Sequence, residues 1–204
     1  SPGPAERNVR APEEKRELTM QTAKSLFVVL FLLLTVASAA GRRDPLTEAE
    51  TDKLREVALE PFKRLKLLVE FSEARLLAID QMRSDPKLAD GRGKKVHDLL
   101  EDFTAILDEI NSNLDMYAGR PLNKDDKKDF RKGVKLVIEA DDKFELKLRT
   151  LKAAGDTDPQ AKVEAQEYRY VLQDAEDALK SSADVAREYM NDKDQDKDAG
   201  QKKR

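Results

Sequence analysis

The chain has 204 residues, with 38 Lys and Arg against 41 Asp and Glu for a formal net charge of −3, a single histidine and no cysteine. The missing cysteine excludes disulfide staples, thiol redox chemistry, thiolate zinc sites and covalent c-type haem attachment. Mixed, mildly acidic charge lacks the basic stripe with which a nucleic-acid binder displaces counter-ions from phosphates.

Residues 1–19, with Pro2, Pro4 and Pro12 and no apolar period, read as a leader outside the fold. Met20 reads as a start. Lys24 is a positive amino-terminal region, Leu26 to Val36 is apolar apart from Thr35, and Ala37-Ser38-Ala39 has the small-x-small pattern of a cleavage site. Residues 20–39 are therefore expected to be a signal peptide cut after Ala39, leaving a periplasmic or secreted product. The uninterrupted apolar core, Leu26 to Leu34, falls short of the roughly 20 residues of a membrane span. Membrane attachment is expected only through an uncleaved signal segment.

Residues 40–190 contain few glycines and prolines and abundant Ala, Leu, Lys, Glu and Asp, which favours an all-α fold. Thr47-Glu48-Ala49-Glu50 has the form of a capping box. It opens a first helix with the apolar face Leu54, Ala58, Phe62, Leu65, Val69, Leu76 and Ile79, in which Pro61 predicts a kink or a break. The second helix has the cleanest period, Val96, Leu99, Leu100, Phe103, Ile106, Leu107, Ile110, Leu114 and Tyr117, and stops at Gly119 and Pro121.

A third helix starts at Asn123, carries Phe130, Val134, Val137, Ile138, Phe144, Leu148 and Leu151, and ends at Gly155. Asp158-Pro159 opens a fourth, with Val163, Tyr170, Val171, Ala178, Val185 and Tyr189 inward. Short connections predict antiparallel neighbours, hence an elongated up-down-up-down four-helix bundle. Residues 191–204, NDKDQDKDAGQKKR, predict a charged, disordered tail.

Chemistry-bearing patterns are sparse. His97 and Glu101 share a helix face at metal-ligand spacing, but two ligands make a poor site and no metal is expected. One histidine cannot furnish the two Glu-x-x-His motifs of a di-iron bundle. The pairs Asp125-Asp126 and Asp141-Asp142 read as solvated faces with i, i+4 charge pairing rather than catalytic dyads. Gly91-Arg92-Gly93-Lys94-Lys95 lacks the further glycine, the Ser or Thr and the strand of a Walker loop, and reads as a flexible basic connector. No nucleophile-and-base set can be assembled, so no enzymatic activity is expected.

Asp129-Phe130-Arg131-Lys132-Gly133 resembles the DFRxG segment that opens the third helix of periplasmic soluble b-type cytochromes, which are exported four-helix bundles. Arg187-Glu188-Tyr189-Met190 is similar to that family's last-helix segment, with Met190 in the place of the haem-binding histidine. The resemblance implies a haem carrier with Met190 as ligand. Leu46-Thr47-Glu48-Ala49-Glu50 resembles the LTxxQ motif of small periplasmic stress chaperones, which implies binding of unfolding clients. The residues themselves favour an exported, non-enzymatic bundle that binds a protein or an envelope component and needs no cofactor.

Overall fold

The computed structural model describes residues 43–157 and 159–201, all of whose regular structure is helical. The expected leader at 1–19, the expected signal segment at 20–39 and residues 202–204 lie outside the described residues. Five α-helices follow in order: α1 (Glu48–Glu56), α2 (Pro61–Ser84), α3 (Arg92–Ala118), α4 (Lys124–Thr157) and α5 (Pro159–Gln201), with a one-turn 3-10 helix at Pro86–Leu88.

The capping box forms: Thr47 Oγ1 accepts from the Glu50 N–H, and the Thr47 N–H donates to the Glu50 carboxylate. Of the two outcomes open at Pro61, the chain takes the break. Pro61 is the first residue of α2, where a missing N–H costs nothing. Two carbonyls freed at the break find tertiary donors, Leu54 O from the Arg64 guanidinium and Ala58 O from the Tyr117 hydroxyl. Ala58, expected inward, lies in the turn and is exposed.

Residue pairs fix how the long helices run. Arg64 meets Asn113 and Arg75 meets Asp102, so α2 and α3 are antiparallel. Lys152 meets Glu176 and Arg187 meets Asp142, so α4 and α5 are antiparallel too. Between these hairpins the seams are parallel. Leu65 lies on Gly133 and Asp80 on Lys147 across α2 and α4, while Arg92 reaches Glu164 and Asp115 reaches Tyr189 across α3 and α5.

The lateral order is therefore α2, α3, α5, α4, which corrects the expectation that α3 and α4 are packed neighbours. Their backbones do not pack along one another despite the short link between Ala118 and Lys124. They meet across the core through side chains such as Phe103 and Phe144, whose ring centroids are 5.5 Å apart. A short link limits end-to-end distance only, and the diagonal satisfies it.

The α3 stripe is buried as expected, with Leu100, Phe103, Ile106, Leu107, Ile110, Leu114 and Tyr117 fully covered and only Leu99 at the margin. The α5 face is rotated from the expected one. Val163 and Tyr170 are 67% and 72% exposed, and Ala178, Val185 and Tyr189 are half-buried. The buried stripe is Tyr168, Val171, Leu172, Ala175, Leu179, Ser182, Ala183 and Ala186. Small residues let α5 approach α3 and α4 closely, so burial follows shape more than side-chain size.

Helix α5 does not stop at Asn191. It continues to Gln201, replacing the expected disordered tail over those residues, because no proline interrupts the stretch and Gly200 is its first glycine. Likewise α4 runs two residues past Gly155, which is buried where a Cβ would come within 2.9 Å of the Ala165 methyl.

Candidate functional site

The residues singled out in the sequence fall in different parts of the fold. His97, Asp98 and Glu101 lie at the start of α3 with ligand atoms within 4.8 Å of one another. Lys94 pairs with Asp98 at 3.3 Å, and the Glu101 side chain is 62% exposed, so solvent and a lysine already serve these carboxylates.

The expected flexible basic connector is instead the opening of α3. Gly91 caps it with φ of 60°, in the left-handed region that glycine enters without strain. Arg92 donates twice to the Glu164 carboxylate, at 2.6 and 2.8 Å, and a Cβ on Gly93 would strike the Glu167 carboxylate at 2.7 Å. Glutamates of α5 fill the place an anion would take.

The DFRxG segment meets Tyr189, the residue before Met190, at the other end. Phe130 is buried between Tyr117 and Tyr189, with ring centroids at 6.1 and 6.2 Å, and the Tyr189 hydroxyl donates to Asp115. Gly133 is small because Leu65 lies 2.6 Å from where its Cβ would be. Packing thus accounts for Phe130 and Gly133, and Met190 is partly buried against the same core. His97 is near the opposite end of α3, some 20 residues or about 30 Å along the helix. These residues do not fit a haem held between Met190 and a histidine.

The LTxxQ-like segment is likewise absorbed locally. Glu50 completes the capping box and also accepts from Arg75, whose guanidinium reaches Pro45 O and Asp102 as well. That hydrogen bond from Arg75, with smaller help from Thr47, holds the Glu50 carboxyl down at about 2.

One expected solvated pair breaks apart. Asp142 is exposed, but Asp141 is 2% exposed in the core between α4 and α5, and neither of its carboxylate oxygens has a hydrogen-bond partner. Adjacent helical positions differ by about 100°, and Asp141 falls on the Val137, Phe144, Leu148 stripe. Burial pushes its carboxyl up to about 7, against the opposing pull of the Ser182 hydroxyl and the Arg187 guanidinium. Ser182 is close enough to exert that pull, yet its Oγ lies outside hydrogen-bond geometry and is itself unpartnered. Ser72 of α2, also buried and unpartnered, lies level with Ala140 by the α2–α4 register.

Directly outside Asp141 the α4–α5 seam opens into a cavity of about 360 Å³ with Leu148, Leu179 and Ala183 as apolar floor. Asp142, Glu145, Glu176 and Asp177 line it together with Arg149, Lys180 and Arg187. A second cavity of about 480 Å³ continues toward the hairpin, sharing Gln173 and Glu176. Its walls include Leu151, Leu172, Tyr168 and Tyr170. The Arg169 guanidinium lies 4.7 Å over the Tyr170 ring and donates to its hydroxyl, and the ring is otherwise exposed. The two cavities form one groove with an apolar, aromatic end and an end rich in charges.

Periodicity places Tyr170 inward and charge pairing places Asp141 on a solvated face, so the sequence does not reveal this groove. The stripe arithmetic at Asp141 was the available signal. No protein-family model matches the chain, and neither a curated protein nor a solved structure matches it.

Proposed function

We propose that this chain is an exported, non-enzymatic binding protein, a four-helix bundle whose α4–α5 face takes a protein or an envelope component. The observation that carries the reading is the groove along α4 and α5, with its apolar floor and the exposed Tyr170 ring beside it. Concave apolar surface with an aromatic anchor is what association exploits, since burying such a ring contributes area at little entropic cost. Among the described residues no helix is long and apolar enough to cross a membrane. Export rests on the pattern at residues 20–39.

A photo-activatable residue at position 170 tests the binding face, with one at exposed Lys135 on α4 as the control. Discrete covalent adducts in the envelope from position 170 alone are expected. Equal labelling from both positions, or none from either, would sink the proposal. Amino-terminal sequencing of the exported product tests the address: a start at Ala40 is expected, and retention of Met20 would defeat it.

A further inference from the structure

The α4–α5 groove contains an acid with no partner and a base with loose ones. Asp141 has both oxygens covered and unpaired, while Arg187, in the lining of the same cavity, reaches Asp142 at 3.4 Å and Asp184 at 3.9 Å with half its side chain in solvent. Those outer pairs are weak, because exposed ion pairs gain little over water. Hydrogen-bond distances between a guanidinium and a carboxylate are nearer 2.8 Å. The cavity supplies the room for the guanidinium to leave them. Three cations already belong to this lining, Arg149, Lys180 and Arg187, so a ligand cation would compete with the chain's own.

We propose that Asp141 and Arg187 form a proton-operated latch on the groove. With the Asp141 carboxyl protonated, it stays beneath the seam and Arg187 remains on Asp142 and Asp184; when the carboxyl ionises, the Arg187 guanidinium crosses the cavity to it and narrows the groove.

The sign follows from the burial of Asp141 and from the charges around it. From α4 come Asp142, Glu145 and Arg149, from α5 Glu176, Asp177, Lys180 and Arg187, while the neighbouring groove beside Ala140 and Phe144 adds Lys66, Glu70 and Glu73 of α2 and Glu139 and Lys143 of α4. At this level α3 brings the Phe103 ring, against Phe144. Burial is what makes Asp141 ionise late, against the pull of the Ser182 hydroxyl and the Arg187 guanidinium, and Asp142 adds a smaller push in the direction of burial. Once ionised, a buried carboxylate without a counter-ion is costly, and Arg187 is the cation nearest to hand with little to lose. A carboxyl that titrates near neutral pH thereby becomes a switch of side-chain position, biasing two arrangements of one packed seam.

The test is a nuclear magnetic resonance titration of the full chain alone, following the Asp141 carboxyl carbon and the Arg187 Nε–H from pH 4 to 9. Both are expected to move with one midpoint near 7. Asp141→Asn should abolish the Arg187 transition, and Arg187→Gln should move the Asp141 midpoint upward. Asp141 titrating below pH 5, or an Arg187 signal that stays flat through the Asp141 transition, overturns the latch. Should Asp141→Asn disturb the fold, Arg187→Gln, a surface change, still decides the matter. The inference rests on the groove but not on its occupant, so failure of the cross-linking above and failure of this titration are separate results.

Discussion

The α2–α3 seam and the α4–α5 seam are both antiparallel, yet they treat their polar groups in opposite ways. On α2, Arg64 donates to Asn113, Glu109 and Leu54 O, and Arg75 binds Glu50, Asp102 and Pro45 O. Each guanidinium is mostly covered and serves several acceptors, so the same contacts that satisfy it also tie α1 down. On α4 and α5 the buried acid has no partner, its serine neighbour has none, and the charged pairs lie outside, at Lys152–Glu176 and Arg187–Asp142. Satisfied buried polar networks fix one arrangement, whereas half-satisfied ones leave a seam that can change. The first seam is held by its guanidinium networks, with Ser72 Oγ of α2 and Asn111 Oδ1 of α3 as unpartnered atoms of that half, and the second has the two cavities that form the groove.

The sharpest way to break this contrast is to place an acid in the finished half. Leu107→Asp puts a carboxylate at a fully covered position of α3 and should cost about 4 kcal/mol or abolish folding, read as a fall in Tm. An unchanged Tm would mean that the α3 face is misassigned. Next in size, Arg75→Met should cost about 2 to 3 kcal/mol, because it strands Glu50 and Asp102 with little solvent, and denaturant melts would report it.

The two halves should also answer pH with opposite sign. Glu50 has its carboxyl depressed from 4.5 to about 2, so its contribution is present above 4.5 and is lost as pH falls through about 2. Asp141 has its carboxyl raised from 3.8 to about 7, so the folded state binds the extra proton. Stability is then full below about 3.8 and declines as pH rises through about 7. Asp141→Asn should therefore stabilise the chain by about 1 to 3 kcal/mol at pH 8 and by nothing at pH 4, as seen in paired urea melts. A gain of equal size at both values would remove the ionisation argument. Smallest of all, Tyr170→Ala should change stability by less than about 0.5 kcal/mol, since the ring is exposed, while removing an anchor from the groove. A large loss of Tm would mark Tyr170 as structural and weaken the binding reading.

Large apolar side chains made most of the fold readable. The α3 stripe stood out because Leu, Ile, Phe and Val recur every three or four residues, and the packed helix buries them. The same habit misled at α5, where Ala175, Ser182, Ala183 and Ala186 form much of the buried stripe and bulky Val163 and Tyr170 face out. Pro61 advertised a discontinuity but not its form, which depended on Arg64 and Tyr117 being in place to accommodate the freed carbonyls. The lateral order of helices was illegible, since a link of a few residues serves a neighbour or a diagonal equally. As for the site, Asp141 was legible in principle from its place on an apolar stripe. The groove was not, because a cavity is a property of two helices and no periodicity within one reveals it.

The parallel seams also set a timetable for folding. Contacts between hairpins join residues far apart in the chain, 67 positions between Asp80 and Lys147, 72 between Arg92 and Glu164, and 74 between Asp115 and Tyr189. A chain that emerges amino-terminus first therefore presents α2 and α3 before the partners for their outer faces. During that interval Leu65 and its neighbours on the first hairpin have only each other and water. Closing both seams then depends on these long-range contacts, and the same faces would let a second chain exchange hairpins with the first.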